Sequence, residues 1–203
     1  MKITMEENLN NIESKIDTSR FGIKVAKTDG SVFKTVSMGD LRKKGYKLII
    51  ARVDINSTDL INQMEDMGFR LKDLQTTYKH NLKNVNRFYT KLNKKNDDDF
   101  LVVIRDFKKE DTEILISIVK ASFNDYGHYF RNSRLDKNKC LEVYEDWGYR
   151  TLTVKNIADK VIVACYKENP VGFLSFKICD LNGERYSAGG MGAVSSMQRG
   201  KSI

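Results

Sequence analysis

The chain has 203 residues, of which 40% are hydrophobic, and carries a formal net charge of +8 at pH 7. This length suits one large or two small domains with a buried core. The basic residues are scattered, without the aromatic–basic interleaving typical of single-strand binding, so we expect no nucleic-acid partner. No apolar run reaches membrane-spanning length, and Met1–Arg20 has no signal-peptide core, so we expect neither a membrane partner nor secretion.

The cysteines and acidic residues form no metal-binding pattern. Cys140, Cys165 and Cys179 are odd in number and widely spaced, which excludes both a disulfide framework and a zinc motif. Asp97–Asp99 are consecutive acids, but an exposed acidic loop is the ordinary interpretation and no further ligands are spaced for a site. We therefore expect no metal and a reducing, cytoplasmic environment.

The first half of the chain, residues 1–92, predicts a small α/β domain. Its best-defined helix should begin in the capping residues Asp54–Asp59 and end before Gly68, which suits the position after a helix. In chain order, the predicted elements are a helix over Thr4–Ile16, a strand over Phe21–Ala26, a helix over Val36–Lys43, a buried strand over Lys47–Val53, a helix through Met67 and a strand or bent strand pair over Phe69–His80.

Residues 93–99 are predicted to be a linker. They belong to the most polar stretch of the chain, Lys91–Asp99. Such a composition favours a connection between domains, although a solvated loop has the same composition. The second predicted domain therefore covers residues 100–203.

The second domain predicts a strand, two helices and then three strands. In chain order these are a strand over Phe100–Arg105, a helix over Lys109–Phe123, an aromatic and basic loop over Tyr126–Leu135, a helix over Asp136–Tyr149 and strands over Val161–Tyr166, Val171–Ile178 and Gly189–Val194. The hairpin before Val171 should hold the only proline, Pro170, in its turn. Tyr144 and Trp147 lie one turn apart on an amphipathic helix, so both are predicted to be core residues.

The last strand leads into a basic turn that contains glycine. Arg199-Gly200-Lys201-Ser202 follows the strand Gly189–Val194. Backbone N–H groups in such a turn have no side chains in the way of a diphosphate. A ligand with several phosphates is therefore predicted, and the alternative is a strand that ends in an ordinary surface turn.

The order of these elements resembles the GCN5-related N-acetyltransferase superfamily over roughly the second half of the chain. The similarity rests on Gly172-Phe-Leu174, Gly192-Ala-Val194 and Arg199-Gly-Lys-Ser202, the last of which is similar to the family's acetyl-CoA motif Gln/Arg-x-x-Gly-x-Gly/Ala. Ser202 stands where the first motif glycine normally is, and the final small residue would fall beyond Ile203. The resemblance implies an α/β (α+β) fold with a mixed, mostly antiparallel sheet flanked by helices.

A narrower resemblance is to TDP-fucosamine acetyltransferases and their relatives, which have an additional amino-terminal domain. It implies an amino sugar nucleotide as the acceptor, with a peptide or another small-molecule amine as the open alternative. The motifs are Gly45-Tyr-Lys-Leu48, Ala51-Arg-Val-Asp54, Met67-Gly-Phe-Arg-Leu71, His128-Tyr-Phe130, Arg134-Leu-Asp136 and Tyr144-Glu-Asp-Trp147.

The first domain itself resembles the closing strand–helix–strand half of the same superfamily, over Lys47–Tyr78. Aligned on Gly68-Phe69, Ser57 falls where the family usually has an asparagine, and Met64 falls where it often has a catalytic tyrosine. Since methionine cannot protonate a departing thiolate, the segment is predicted to be a degenerate and chemically silent half-copy. The alternative is that it completes the second domain like a circular permutant.

The resemblance assigns the cofactor contacts to the last residues of the chain, with acetyl-CoA as co-substrate and no metal. Gly192, Ala193 and Val194 would hold the pantetheine arm, and a backbone N–H at Val194 would polarise the thioester carbonyl. The pyrophosphate would be wrapped by main-chain N–H groups of Arg199, Gly200, Lys201, Ser202 and Ile203.

The acceptor amine is predicted to bind at the loop between the two helices of the second domain. His128 can deprotonate an amine, because the reference pKa of histidine is about 6.5. A surface histidine without a role is the alternative. Tyr126, Tyr129, Phe130 and Arg131 can bind a nucleotide sugar by stacking and charge, or can simply anchor the loop.

Three functions are consistent with these observations. The first is acetyl transfer from acetyl-CoA to a primary amine by direct attack in a ternary complex. The second is an acetyltransferase-like binding or scaffold protein without chemistry, and the third is a partner-dependent fragment. The last two are motivated by Ser202 and by the family's further strand–helix–strand, which would follow Ile203. Without that segment the last strand has an exposed edge, which favours a homodimer.

Overall fold

The computed structural model describes residues 11–34, 36–82 and 102–200. The protein is a mixed α+β structure that divides into two compact units. The first comprises Met1–Lys72 with Arg134–Lys139, and the second comprises Asp73–Ser133 with Cys140–Ile203. The predicted linker at residues 93–99 lies outside the described residues, so the boundary at that point stays a prediction.

The helices and strands are numbered in chain order. Before residue 83 they are α1 (Lys15–Phe21), β1 (Val25–Thr28), α2 (Met38–Lys43), β2 (Leu48–Ala51) and α3 (Thr58–Asp66). After residue 101 they are β3 (Val102–Asp106), α4 (Thr112–Phe123), α5 (Gly127–Phe130), α6 (Lys137–Thr153), β4 (Lys160–Tyr166), β5 (Asn169–Leu181) and β6 (Glu184–Val194). Short 3₁₀ turns occupy Ser31–Lys34, Lys109–Asp111 and Ser196–Gln198. Within the described ranges, no helix is both long enough and apolar enough to cross a bilayer.

The first unit is built on a parallel pair of strands. β1 and β2 pair from Val25 opposite Leu48 to Thr28 opposite Ala51, and α2 lies between them in the chain. Parallel strands need such a crossover, because a tight turn would make the second strand antiparallel. The buried side chains that pack together in this unit are Ala26, Val32, Phe33, Val36, Leu41, Tyr46 and Met64.

The structure confirms two helices and one strand that were predicted for this unit. α2 falls within Val36–Lys43, β2 falls within Lys47–Val53, and α3 ends at Asp66. α2 begins with a capping box, in which the Ser37 hydroxyl accepts from the Asp40 N–H and the Asp40 carboxylate accepts from the Ser37 N–H. Local side-chain chemistry therefore determines where this helix begins.

The predicted strand or strand pair at Phe69–His80 is wrong, because this segment forms neither strand nor helix. Its alternation of apolar and polar residues stops after Leu71, and the Leu71 side chain is 73% exposed. A half-buried strand needs that alternation to continue over its length. The half-copy interpretation requires a closing strand after α3. The described residues of the first unit contain no such strand.

The predictions for the start of the chain also need correction. The predicted strand Phe21–Ala26 is displaced, because Phe21 ends α1 and the strand begins at Val25. Of the predicted helix Thr4–Ile16, residues 4–10 lie outside the described residues. In the remainder, Glu13 forms an antiparallel bridge with Ala26 instead of continuing a helix.

The second unit contains an antiparallel sheet in the order β3-β4-β5-β6. Two-residue turns close two of its hairpins, Lys167-Glu168 between β4 and β5 and Asn182-Gly183 between β5 and β6, with positive φ at all four positions. Turns of this kind match the right-handed twist of the strands.

The prediction that Pro170 lies in a turn is wrong. It lies inside β5 opposite Cys165, because the two residues at 167 and 168 already close the hairpin.

Helices α4 and α6 supply buried side chains to this unit. α4 packs against β5 and β6. α6 buries Cys140, Tyr144, Gly148 and Thr151, which follow one face of the helix. The core prediction for Tyr144 is confirmed, whereas the prediction for Trp147 is wrong because its side chain is 43% exposed. Trp147 is one position before Gly148, which turns it about 100° away from the buried face.

An ion pair joins β3 to the start of α4. Arg105 donates from both terminal nitrogens to the Asp111 carboxylate at 2.7 Å each, and the Lys108 N–H donates to the same carboxylate at 2.8 Å. The hydrogen bonds from Arg105 hold the pKa of the Asp111 carboxyl below its ordinary value, in opposition to burial, which raises it. The pair therefore stabilises the fold in the ionised state.

We expect this pair to make stability depend on acid pH. Because the pKa of Asp111 is lower in the folded chain, its contribution is present above the ordinary carboxyl pKa of about 4 and is lost as the pH falls through the folded value. Asp111→Asn should lower the free energy of unfolding at pH 7 by about 1–3 kcal/mol and should weaken the acid dependence. Urea unfolding at neutral and acid pH measures both effects.

A matched control is Asp106→Asn, whose carboxylate pairs with Lys160 but is 72% exposed. We expect this change to lower stability by less than about 1 kcal/mol, because water screens an exposed pair. An acid dependence of Asp111→Asn equal to that of the unmodified chain would contradict the assignment.

A buried hydroxyl without a partner predicts a stabilising substitution. Thr151 is 5% exposed, and its Oγ1 has no hydrogen-bond partner in the described structure. Valine has the same shape without the hydroxyl, so we expect Thr151→Val to raise the free energy of unfolding by about 1 kcal/mol. Thr151→Ser keeps the hydroxyl and removes a methyl group, and it should lower stability. Thermal unfolding of both variants decides the point: the two midpoints must move in opposite directions.

Candidate functional site

The two strand motifs singled out in the sequence lie directly opposite each other. Gly172 pairs with Val194, Phe173 with Ala193 and Leu174 with Gly192 across β5 and β6. In the described sheet, β6 pairs with β5 alone, so its other edge is open. The structure therefore brings both motifs together at one end of the sheet, with Gly192–Val194 on the edge strand.

Hydrogen-bond alternation determines which backbone groups of β6 face the open edge. The Ser195 N–H donates to the Val171 carbonyl at 2.7 Å. Ser195 and Val171 are therefore a hydrogen-bonded pair that continues the β5–β6 register by one residue. Antiparallel strands alternate between hydrogen-bonded and non-hydrogen-bonded pairs. It follows that Ala193 is bonded to β5, whereas the N–H and C=O groups of Gly192 and Val194 point away from β5, toward the open edge.

This geometry divides the three residues predicted to hold a cofactor. Gly192 presents an N–H and a carbonyl to the open edge, and Val194 presents an N–H there, while the Val194 carbonyl accepts from the Arg199 side chain. Ala193 has its backbone groups directed at Phe173 and its side chain buried. Its predicted backbone contact with the cofactor therefore has no support from the geometry.

A close approach of the two strands requires glycine at position 172. A Cβ atom there would lie 2.9 Å from the Ala193 carbonyl oxygen and 3.1 Å from a methyl carbon of Val194. The first distance is shorter than real Cβ contacts, and the obstacle is backbone that cannot move alone. Gly172 thus sets how near β5 comes to the part of β6 that carries the outward groups.

The turn after β6 is held by the side chain of Arg199. Its Nε donates to the Val194 carbonyl at 3.0 Å, and one terminal nitrogen donates to the Ser122 hydroxyl on α4 at 2.7 Å. The bond to Val194 is consistent with an outward-facing carbonyl at that residue. Two nitrogens of the guanidinium are thus bonded to protein groups. The sequence predicts that main-chain N–H groups would bind an anion at this turn.

The rest of the predicted phosphate turn is only partly described. Gly200 has a φ of 76°, in the left-handed region. Lys201, Ser202 and Ile203 lie outside the described residues, so their contacts with a diphosphate stay a prediction.

The predicted acceptor residues lie at α5, and they differ strongly in exposure. Tyr129 and Phe130 are buried, at 4% and 8% exposure, whereas Tyr126 is 55% exposed. Buried rings favour the anchoring interpretation for Tyr129 and Phe130. The ring of His128 lies 4.2 Å from that of Tyr129, between centroids.

Tyr144 is the centre of the aromatic cluster under this loop. Its ring stacks on Phe123 and Phe130, with centroids 5.1 and 6.3 Å away, and meets Tyr126 edge-on. Burial, followed by the nearby Tyr129, raises the pKa of the Tyr144 phenol, which therefore stays protonated at neutral pH. Since Phe123 follows Ser122 on α4, the aromatic cluster lies beside the residue that Arg199 contacts.

Sequence reasoning missed two serines that shape this edge. Ser122 accepts from Arg199, and Ser175 bonds to both backbone groups of Met191 on β6. A serine in a buried strand, flanked by apolar residues, is the signal that marks Ser175, because buried hydroxyls need partners. Ser122 has no comparable signal, since its partner is 77 residues away.

Comparison with known proteins assigns the chain to no family, because no protein-family model matches it and no curated protein is significantly similar to it. Among the described residues, no group of three or more His, Cys, Asp or Glu side chains is placed to hold a metal ion. The functional interpretation therefore depends on the backbone geometry at β6 and its turn.

We expect Arg199 to hold the turn in place. Arg199→Ala removes both hydrogen bonds, so the Gln198 amide, which donates to the Ser195 carbonyl at 2.9 Å, should exchange with solvent about tenfold faster or more. Ser122→Ala removes one bond and should give a smaller increase. Hydrogen exchange by NMR measures the exchange rate of the Gln198 amide. Arg185→Ala, on β6, is the control. Equal exchange in Arg199→Ala and Arg185→Ala would rule out this role.

Proposed function

We propose that the protein is an acetyl-CoA-dependent N-acetyltransferase that acts on a primary amine. The observation that carries this proposal is the pair of outward-facing backbone groups at Gly192 and Val194, next to the turn at Arg199. An open strand edge can bind an extended ligand with amide groups, as an additional strand would bind. The strand order of the second unit, with two long helices before an antiparallel hairpin series, supports the same conclusion.

The pantetheine arm of acetyl-CoA is a ligand of this kind, because it contains amide groups in an extended chain. In the proposal it lies along the outer edge of β6, with its thioester beside Val194. The Val194 N–H then donates to the thioester carbonyl, where negative charge develops during attack. The turn from Arg199 to Ile203 binds the pyrophosphate through main-chain N–H groups.

The reaction is a direct attack. The nitrogen of the neutral acceptor amine attacks the thioester carbon and loses one proton to a base, and the tetrahedral intermediate expels the thiolate of coenzyme A, which takes up a proton. His128 is the proposed base. Tyr126 and Arg131 are the proposed contacts for an acceptor such as an amino sugar nucleotide, because the exposed ring of Tyr126 offers a stacking surface.

The edge of β6 also bears on the predicted homodimer. A second copy that paired with β6 through main-chain hydrogen bonds would use the outward groups of Gly192 and Val194. The same groups cannot bind pantetheine at the same time. Acetyl-CoA binding and dimerisation through this end of β6 are therefore competing proposals.

We expect the 203-residue chain to bind acetyl-CoA and to release free thiol when an amine acceptor is added. Isothermal titration calorimetry measures the binding, and a thiol-reactive dye measures turnover over a panel of amino sugar nucleotides, peptides and small amines. Val194→Pro removes the proposed donor, and proline is tolerated on an edge strand whose N–H faces outward. We expect kcat to fall about 100-fold in this variant.

Val194→Ile is the matched control, because it keeps the N–H and changes the side chain by one methylene. It should retain kcat within about threefold, since a single added methylene perturbs packing only modestly. Absence of acetyl-CoA binding by the unmodified chain would reject the proposed function, and equal kcat in the proline and isoleucine variants would reject the role of the Val194 N–H.

A further inference from the structure

A β-bulge interrupts the β5–β6 pair just before the candidate site. Leu174 pairs with Gly192 and Phe176 with Gly189, so the single residue Ser175 lies opposite both Gly190 and Met191. A bulge places an extra residue in one strand and leaves its backbone groups without the regular ladder partner. In a buried position, such unpaired groups are costly.

The Ser175 hydroxyl supplies the missing partners. It accepts from the Met191 N–H at 2.8 Å and donates to the Met191 carbonyl at 3.0 Å. Ser175 is 1% exposed and Met191 is 1% exposed, so water does not compete for these bonds. One side chain therefore satisfies both backbone groups of the residue displaced by the bulge.

The space beside the hydroxyl depends on glycine at position 190. A Cβ atom on Gly190 would lie 2.4 Å from the Ser175 Oγ, while its next neighbours, the Ser175 carbonyl oxygen and Cβ, lie at 3.4 and 3.5 Å. The only severe conflict is thus with the hydroxyl oxygen. Gly190 and Ser175 form a matched pair in which the missing side chain of one makes room for the hydroxyl of the other.

The bulge also determines which residues of β6 face the open edge. Because alternation along a strand has a period of two, a one-residue change of register exchanges inward and outward positions. Without the bulge, the pairing register at Phe176–Gly189 would continue along β6. The backbone groups of Gly192 and Val194 would then point toward β5. Ala193 would then face the open edge.

We infer that Ser175 is a positioning residue: its hydroxyl stabilises the bulge at Gly190–Met191 and thereby directs the Gly192 and Val194 backbone groups to the open edge. The catalytic part of this inference rests on the proposed acetyltransferase function. The structural part, which concerns the orientation of two amide groups, does not.

A double-mutant cycle between Ser175 and Gly190 tests the inference. Ser175→Ala removes the hydroxyl, and Gly190→Ala displaces it. We expect each to lower kcat about 10- to 100-fold, because a small misplacement of a reacting group has effects of this size. The dissociation constant of acetyl-CoA should rise about tenfold in each variant, because the Gly192 and Val194 groups are the proposed contacts for the pantetheine arm and a lost hydrogen bond has about this effect. Adding Gly190→Ala to Ser175→Ala should lower kcat by less than a further factor of about two, because the conflicting hydroxyl oxygen is gone.

Two further variants keep the result interpretable. Ser175→Cys retains a weak donor and acceptor at the same place, so its kcat should lie between those of the unmodified chain and Ser175→Ala. It replaces the alanine variant in the test if that variant does not fold. Thr151→Val removes a buried hydroxyl that has no partner. It should leave kcat unchanged, which separates the loss of these bonds from the loss of any buried hydroxyl.

The amide signals of Gly192 and Val194 in ¹H–¹⁵N spectra supply a readout that is independent of activity. We expect both signals to shift in Ser175→Ala and in Gly190→Ala, and to shift little further in the double variant. If acetyl-CoA does not bind, the proposed function fails and these signals alone decide the role of Ser175. Independent, additive effects of the two substitutions on the signals, or unchanged signals in Ser175→Ala, would overturn the inference.

Discussion

The alternation of hydrogen bonds between β5 and β6 is the constraint on which the candidate site depends. The backbone groups of a strand residue either bond to the neighbouring strand or point away from it, and a shift of one residue reverses the pattern. The Ser195–Val171 bond and the bulge at Gly190–Met191 together set this pattern so that Gly192 and Val194 face outward.

Contacts from several parts of the second unit maintain this arrangement. Gly172 lets β5 approach β6 closely, and Ser175 satisfies the backbone of the bulge. Arg199 connects the outward carbonyl of Val194 to α4 through Ser122. α4 packs on both strands, and its start is tied to β3 by the Arg105–Asp111 ion pair. Each of these contacts lies on β6, on its neighbour β5 or on the helix that packs against both.

The fold could be predicted from the sequence wherever the signal is local. The helix at Thr112–Phe123 follows from apolar periodicity, and the predicted strands Val171–Ile178 and Gly189–Val194 fall within the longer β5 and β6. The predictions fail where a segment has the composition of an element without its packing partner. Phe69–His80 forms neither strand nor helix, and beyond Phe69 its side chains are exposed, while Trp147 lies beside the buried face of α6 and not on it.

By itself, the sequence determined the two glycine-containing strand motifs, the hairpin order and the basic turn at Arg199, because these depend on residues that are neighbours in the chain. Only the tertiary structure decided that Gly192 and Val194, and not Ala193, present their backbone groups to the open edge. The amino-acid composition of β6 is the same in either pairing register. Contacts from other strands and helices therefore decide which register forms. Ser175 and Ser122 act on β6 and its turn from 16 and 77 residues away, distances over which periodicity carries no information.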